Sequence, residues 1–442
     1  MPLVEQLGME PFDFGLIGAG VLLVLVFMGV RVFLAAAVVG LFGLVALLGW
    51  EAGAGMAGTI PHSKSAAYAL SVLPMFILIG YFAFHAGLTD ALFDSARKWW
   101  SWMPGGLAVA TVFATAGFAA VSGASTATAA VFSRIAIPEM LKYGYDNRLA
   151  AGVVAAGGTL ASLIPPSGIL VLYAIIVEES VGKLLLAGFV PGILSAVIYA
   201  VLISSRVMIS PEMAPPSQTF SWGERLRSVP GTLPIVAVVV IIISAIYGGW
   251  ATPTEAGALG AFIVFVMALI HGMRGQQFRD ALFETAKLTV MIFSIIWGVL
   301  MFVRFLGFAG LPDAFAEFIA GLDMPPILII IMILVGYAVL GMFMDAIGML
   351  LLTLPVVYPA VIGLGYDPIW FGIIVVKMVE IGLITPPIGI NVFVVSGVRP
   401  DIPLGEIFRG IWWFFVCDVL TVALLIAYPE IVLWLPNSML GG

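Results

Sequence analysis

The sequence predicts an all-α polytopic membrane protein built from two inverted-topology repeats, each with five crossings, one of them broken, and one re-entrant hairpin. Of its 442 residues, 62% are hydrophobic and 10% are charged, whereas about a quarter of the residues in a soluble domain are charged. The 50 glycines and 27 prolines predict interrupted helices, since both residue types break helices unless neighbours satisfy the freed backbone groups. Matching residues in the two halves predict the repeat. A water-soluble enzyme is excluded.

Charge and cysteine content exclude other classes of protein. The formal net charge is −7 and no basic run is present, so the sequence gives no support to nucleic-acid binding. Cys417 is the only cysteine, and His62, His85 and His271 lie far apart, so neither a disulfide framework nor a zinc site is expected. The sequence also lacks a phosphate-binding loop, and no cofactor is predicted.

Long apolar segments define the crossings, because about 20 helical residues span roughly 30 Å of hydrocarbon. Residues 1–204 are interpreted as the first repeat, 205–233 as a polar cytoplasmic linker and 234–442 as the second repeat. In the first repeat, crossings are predicted at 13–29, 32–49, 68–86 and 184–204, with a hairpin at about 106–135 and a broken helix at about 148–177. In the second repeat, crossings are predicted at 234–250, 255–271, 287–307 and 411–428, with a hairpin at about 327–355 and a broken helix at about 369–396.

The two halves share the same pattern of turn residues. A shift of 221 residues aligns the prolines at 165–166 with those at 386–387, and Gly-Tyr-Asp at 144–146 with the same tripeptide at 365–367. Because five crossings is an odd number, the second repeat must be inserted upside down relative to the first. Inverted repeats with paired broken helices are typical of secondary transporters whose site lies near the middle of the membrane.

The basic residues predict the orientation of the chain. If the N-terminus lies outside, 14 of the 18 Lys and Arg residues fall in loops assigned to the cytoplasm, as the positive-inside rule expects. Only Lys64 and Lys183 fall outside, while Arg304 and Lys377 lie within crossings.

Each hairpin tip, together with the break that follows it, is a candidate cation site. Two consecutive prolines in each break remove two amide donors, so the preceding carbonyl groups can face a cation. Small residues at the tips let the backbone approach closely, and hydroxyl groups add oxygen ligands from Ser125, Thr126 and Thr385. The alternative is that the prolines and small residues only kink and pack the helices.

Charged and amide side chains within the apolar segments are candidates for solute binding. Asp345, at the second tip, would be costly in lipid, so we expect it to be paired, hydrated or near a cation, unless it lies in an exposed loop. Arg304 and Lys377 could neutralise an anionic substrate, or could pair with Glu380 or another acid. Asn391 could hydrogen-bond to substrate or to a neighbouring helix. The predicted substrate-binding residues are Ser125, Thr126, Ser167, Arg304 and Asn391.

The segment at 252–255 predicts the start of a helix. Thr252 suits the N-cap, Pro253 the first helical position and Glu255 the third position of a capping box. We therefore interpret this segment as structural, with a functional role as the alternative.

Several motifs match one known family. The most specific is EIGLITPPIGINVFV at 380–394. The others are VSGASTATAAV at 121–131, LIPPSGIL at 163–170, TPTEAGALGA at 252–261 and GMFMDAIGMLLLTLP at 341–355. Over essentially its whole length, the sequence resembles the large membrane subunit (permease or M subunit) of tripartite ATP-independent periplasmic (TRAP) transporters.

This resemblance implies a sodium-driven importer with an elevator-type fold, in which a transport domain carrying both hairpins moves past a fixed scaffold. Sodium ions are then the coupling ions, held where the tips meet the broken helices. Carried over to this sequence, the sodium-binding residues are Gly123, Ser125, Pro165, Asp345, Gly348 and Thr385. The implied partners are a small four-helix (Q-type) membrane subunit and a periplasmic (P-type) substrate-binding protein. The implied location is the bacterial inner membrane, with a periplasmic N-terminus.

The predicted solute is a small organic acid, either a C4-dicarboxylate or another carboxylate, and the delivery protein is expected to select it. A secondary transporter coupled to protons is the alternative. A channel is a further alternative, distinguished by fast flux without a binding protein. An intramembrane enzyme would need a compact group of His, Asp or Glu residues, which the sequence does not offer.

Overall fold

The protein is described by a computed structural model over residues 3–440, and the secondary structure in that range is entirely helical. Within it, seven helices are long and apolar enough to cross a membrane, and five shorter apolar helices of 10–17 residues accompany them. The predicted all-α polytopic class is therefore confirmed.

The first half of the described chain contains eleven α-helices. They are α1 (Leu3–Leu7), α2 (Pro11–Phe27), α3 (Val32–Leu48), α4 (Trp50–Ser65), α5 (Val72–His85), α6 (Leu88–Trp100), α7 (Gly106–Ser122), α8 (Ser125–Lys142), α9 (Asn147–Thr159), α10 (Gly168–Val177) and α11 (Val181–Ile209). Short 3-10 helices lie before α5 (Tyr68–Ser71), after α9 (Leu160–Ser162) and after α11 (Pro211–Met213).

The second half, up to residue 440, contains ten α-helices. They are α12 (Trp222–Tyr247), α13 (Pro253–Ile270), α14 (Gly275–Phe308), α15 (Leu311–Ala320), α16 (Pro326–Gly341), α17 (Ala346–Gly363), α18 (Pro368–Ile384), α19 (Ile390–Val398), α20 (Leu404–Ala427) and α21 (Glu430–Leu440). Helices α7 and α8 form the first hairpin, and α16 and α17 form the second. Helices α9 and α10, and likewise α18 and α19, are the two arms of a broken helix.

Helices from the two halves pack against each other, most extensively α3 against α14 and α5 against α13. Glycines allow the closest approach: a Cβ atom on Gly298 of α14 would meet the backbone of Phe33, and one on Gly40 of α3 would meet the backbone of Phe302. Small residues at such contacts are typical of membrane helices, which associate through close packing.

The observed helices extend beyond several of the predicted boundaries. Helix α11 continues to Ile209 and α12 begins at Trp222, so helical structure enters the segment 205–233 from both ends. Hydropathy windows stop at the first charged residues, whereas a capping box starts α12 within the polar segment. The Ser221 N–H donates to Glu224 Oε2 at 2.9 Å, and the Glu224 N–H donates to Ser221 Oγ at 3.3 Å.

The capping box predicted at 252–255 is confirmed. The Thr252 N–H donates to Glu255 Oε2 at 2.7 Å, and the Glu255 N–H donates to Thr252 Oγ1 at 3.3 Å. Pro253 is the first residue of α13. This segment therefore starts a helix, as its spacing indicates.

Candidate functional site

The first hairpin tip lies against the first helix break. Helix α7 ends at Ser122, and Gly123 takes a left-handed conformation with φ of 58° before α8 begins at Ser125. A Cβ atom on Gly123 would lie 2.8 Å from the carbonyl oxygen of Pro166. Glycine at 123 therefore meets two requirements at once, a positive φ and close contact between two backbone segments.

The first break extends from the end of the 3-10 helix at Ser162 to the start of α10 at Gly168. Ser167 caps α10: its Oγ accepts from the Leu170 N–H at 3.4 Å and donates to the carbonyl oxygen of Ser162 at 2.6 Å. The peptide bond between Pro165 and Pro166 is cis. The unwound segment is thus held by hydrogen bonds of its own, and Ser167 and Pro165 are buried in it.

The second tip connects α16 to α17. Asp345 is the N-cap of α17, and its Oδ2 accepts from the Gly348 N–H at 3.0 Å. At the end of α16, a Cβ atom on Gly341 would lie 3.0 Å from the Cα atom of Gly382 in α18. Paired glycines therefore bring the second hairpin close to the helix that precedes the second break.

The second break extends from Thr385 to Gly389, between α18 and α19. The Thr385 hydroxyl donates to the carbonyl oxygen of Ile381 at 2.5 Å, and Pro386 and Pro387 are joined by a cis peptide bond. The two breaks occupy equivalent positions in the two halves.

Both tips line one cavity of about 340 Å³. The first tip contributes residues 122–126 to its lining, and the second tip contributes Asp345, Ala346 and Ile347. The arms beyond the breaks contribute Gly168 and Ile390. Its remaining wall is mainly apolar side chains of α5 and α14. A volume of this order suits a small organic molecule, so the cavity is the candidate solute site.

A smaller cavity of about 160 Å³ adjoins it and shares Ser122 and Ala124 with its lining. Arg134 and Glu284 line this second cavity. The smaller cavity therefore brings one basic and one acidic side chain next to the candidate solute site.

A buried carboxylate reaches the first tip from the opposite half. Glu380 Oε1, on α18, accepts from the Ser125 hydroxyl at 2.7 Å and from the Ser162 hydroxyl. The two hydroxyl oxygens lie 2.8 Å apart, and all three residues are buried. Ser162 and this role of Glu380 were not predicted, although a glutamate inside an apolar segment is itself a signal of function.

Lys377 belongs to a second buried group. Its Nζ lies 2.6 Å from Asp418 Oδ1, and both side chains are fully buried. The Tyr199 hydroxyl donates to the same Asp418 oxygen at 2.5 Å and lies 3.3 Å from Thr159 Oγ1. Of the alternatives for Lys377, the structure therefore shows pairing with an acid other than Glu380, and the lysine does not line the cavity.

The structure places Arg304 away from this cavity. Ile295 of α14 lines the cavity, whereas Arg304 does not. Nine residues separate them on one helix, which at 3.6 residues per turn is about half a turn of rotation and about 14 Å along the axis. Arg304 therefore lies on the face of α14 opposite the cavity, and its contact with substrate stays a prediction.

The other predicted site residues divide into two groups. Gly123, Ser125, Thr126 and Asp345 line the cavity. Pro165, Ser167, Gly348, Thr385 and Asn391 do not, although all five lie in or beside the tips and breaks. Asn391 is fully buried, and neither polar atom of its amide has a hydrogen-bond partner among the described residues. Its role in substrate binding therefore stays a prediction.

The chemistry of these groups suits an alkali cation better than a transition metal. Residues 3–440 contain no group of three or more His, Cys, Asp or Glu side chains that could hold a metal ion. The tips and breaks instead offer hydroxyl, carboxylate and carbonyl oxygens, and unwound transporter helices coordinate Na⁺ through their backbone carbonyls. Glu380 Oε2 is buried without a hydrogen-bond partner in the described chain, which fits a nearby cation.

Solved structures support the fold. The Alcanivorax borkumensis YdaH transporter superposes with a TM-score of 0.59 at 14% sequence identity, covering 88% of this chain and 91% of that one. Neisseria gonorrhoeae MtrF, described among antimetabolite efflux pumps, superposes with a TM-score of 0.55 at 13% identity, covering 96% and 95%. At these identities the likeness concerns the fold alone.

Sequence comparison identifies the family. The family model for the DctM component of tripartite ATP-independent periplasmic transporters matches residues 19–431. A C4-dicarboxylate TRAP transporter large permease from Pseudomonas aeruginosa is 37% identical over 374 residues, covering 84% of this chain and 86% of that protein. A protein of the same description from Vibrio cholerae is 33% identical, covering 91% and 93%. A sialic acid TRAP large permease from Vibrio cholerae is 29% identical, covering 85% and 87%. The chain therefore belongs to the DctM family, the large permease subunits of TRAP transporters.

Proposed function

We propose that this permease imports a small organic acid, such as a C4-dicarboxylate, using the sodium gradient and an elevator movement. The observation that carries the proposal is the convergence of both hairpin tips on one cavity of about 340 Å³. Each tip is next to a helix break that frees backbone oxygens for a cation, and the cavity between the tips has room for a solute.

The charge of the cavity favours cation coupling. Among the described residues that line the cavity, Asp345 is the one with a charged side chain, and none is Lys or Arg. A carboxylate solute would therefore meet a negative charge and no basic side chain. Cations bound at the tips would supply the missing positive charge, so solute and cation would each favour binding of the other.

The nature of the cavity wall supports an elevator movement. Apolar side chains of α5 (Leu73, Phe76) and α14 (Ile292, Ile295) face the tips. Apolar surfaces can slide past one another without the loss of directional hydrogen bonds. We infer that the hairpins and broken helices move together against the frame that contains α3, α5, α13 and α14.

The membrane potential provides enough free energy for uptake of an anion. Each positive charge that enters across 100 mV contributes about 2.3 kcal/mol. Cations that enter with the solute offset its negative charge and can make the transport cycle electrogenic.

We also propose the partners and orientation that a tripartite system requires. One relative, an isethionate TRAP transporter permease protein DctMQ from Oleidesulfovibrio alaskensis, is 34% identical over 337 residues, and this chain covers 52% of it. The proposed partners here are a small four-helix membrane subunit and a periplasmic substrate-binding protein. The proposed orientation in the bacterial inner membrane places the N-terminus in the periplasm.

Uptake by the reconstituted complex tests the coupling ion. The permease, its small membrane subunit and its binding protein loaded with radiolabelled succinate should give uptake when sodium is present outside the vesicles only. Equal sodium on both sides, or choline in its place, should abolish accumulation. Uptake that ignores sodium but follows an imposed pH gradient would contradict the proposal in favour of proton coupling. Rapid flux without the binding protein would favour a channel.

Replacement of Asp345 by asparagine should weaken sodium coupling. Asparagine keeps a side-chain oxygen for the Gly348 N–H, so the cap of α17 is preserved while the charge is lost. We expect the half-saturating sodium concentration for uptake to rise about tenfold, equivalent to roughly 1.4 kcal/mol. Asp401→Asn, which neutralises an exposed carboxylate, is the control and should leave the half-saturating sodium concentration unchanged. An unchanged value for Asp345→Asn would remove Asp345 from the cation site.

A further inference from the structure

The two tips differ in the source of their carboxylate. By the shift of 221 residues that aligns the repeats, the residue equivalent to Asp345 is Ala124. The first tip therefore has no acidic residue at the position where the second tip has one. By the same shift, Glu380 is equivalent to Thr159, so its carboxylate also has no counterpart in the first repeat.

Glu380 brings a carboxylate to the first tip from the second repeat. Its Oε1 accepts from the hydroxyls of Ser125, the first residue of α8, and Ser162, the last residue before the break. A residue of α18 thus connects the tip and the break of the other half. Its second oxygen, Oε2, is buried without a hydrogen-bond partner in the described chain.

No basic side chain balances this carboxylate directly. Lys377, one turn earlier on α18, lies 2.6 Å from Asp418 Oδ1 and forms its ion pair there. Among residues 3–440, Glu380 takes part in no ion pair. Because a buried charge without a partner is strongly unfavourable, an ionised Glu380 needs a positive charge close to the first tip.

The hydrogen bonds also orient the hydroxyl groups. Ser125 and Ser162 each give their proton to Glu380, so the lone pairs of each hydroxyl oxygen remain available to a cation. A carboxylate that accepts from a metal ligand fixes the orientation of that ligand and strengthens it as an electron donor.

We propose that Glu380 is the positioning residue of the cation site at the first tip, where it orients the hydroxyls of Ser125 and Ser162 and supplies the negative charge that retains an alkali cation. The inference rests on the proposed sodium coupling. The cation site at the first tip is then completed by a charge that the second repeat carries.

Sodium binding can be measured without transport. The midpoint of thermal unfolding of the purified full-length permease, titrated with NaCl against choline chloride at constant ionic strength, should rise with sodium. Glu380→Gln keeps the shape and an acceptor oxygen for both hydroxyls but removes the charge. We expect its half-saturating sodium concentration to rise at least about tenfold. Glu406→Gln, which removes a carboxylate 3.8 Å from Arg148 at a partly exposed position on α20, should behave as wild type.

The outcomes separate this inference from the proposed function. If wild-type protein shows no sodium-dependent shift, sodium coupling itself fails. If sodium raises the unfolding midpoint of wild type and of Glu380→Gln with the same half-saturating concentration, sodium coupling stands and the role of Glu380 is overturned. If Glu380→Gln does not fold, Ser162→Ala decides: it retains the buried charge and removes one oriented hydroxyl. A rise in its half-saturating sodium concentration supports the inference, and an unchanged value overturns it.

Discussion

Lys377→Met is expected to be among the most destabilising single substitutions in this permease. It leaves Asp418 fully buried without the ammonium that lies 2.6 Å from its Oδ1. Removal of one partner of a buried ion pair costs about 3–5 kcal/mol, because the other charge is left uncompensated. We expect a large fall in the thermal unfolding midpoint of the purified protein and a lower yield from membranes.

A double variant separates the lost charge balance from lost packing. Lys377→Met combined with Asp418→Asn removes both charges. It should reverse a substantial part of the fall in the unfolding midpoint, since the introduced amide oxygen would still accept from the Tyr199 hydroxyl. Arg399→Met is the matched control: its partner Asp401 lies at the same distance of 2.6 Å but is exposed, where such a pair contributes about 0–1 kcal/mol. A Lys377→Met protein as stable as wild type would contradict the role of this pair.

Gly123→Ala should nearly abolish sodium-coupled uptake. The substitution forces a non-glycine residue to φ of 58° and places Cβ 2.8 Å from the carbonyl oxygen of Pro166. The conformation alone costs roughly 1–2 kcal/mol, and the contact pushes the tip away from the break. Because the cation site is proposed to lie between the tip and the break, we expect sodium-dependent uptake into proteoliposomes to be almost lost.

Gly310→Ala is a control that separates these two causes. Gly310 precedes α15 with φ of 75°, and a Cβ atom there would meet no atom within 4 Å. The substitution carries the cost of the conformation without the contact, so its effect on sodium dependence should be small. Equal losses from both alanine substitutions would show that the close approach of tip and break has no functional importance.

Local chemistry explains why much of the fold was predictable. Gly, Pro and small residues mark the tips and the breaks, and the predicted hairpin at 106–135 lies within α7 and α8. The capping box at Thr252 is likewise local. Helices α6 and α15 were not predicted, because they are short and carry charged residues among apolar ones. A search for membrane-spanning segments does not detect such helices.

Contacts between distant parts of the chain explain what the sequence did not reveal. Ser125 and Glu380 are 255 residues apart, and no spacing rule joins them. The pairing of Lys377 with Asp418 could not be predicted for the same reason, although each is a charged residue within an apolar segment. The side of α14 on which Arg304 lies could not be predicted for a different reason: its position in a crossing was predictable, but the face of α14 that lines the cavity is defined by tertiary packing.

Tips from opposite repeats line one cavity, and a cross-link between the two tips tests this arrangement most directly. In a Cys417→Ala background, Thr126→Cys and Ile347→Cys would place one thiol on each tip, since both residues line the cavity. A short bifunctional thiol reagent should join the two cysteines and arrest transport. A pair of Thr126→Cys with Phe318→Cys, on the exposed surface of α15, should not cross-link. Two tip cysteines that each react with a monofunctional reagent, yet never become joined, would contradict the claim.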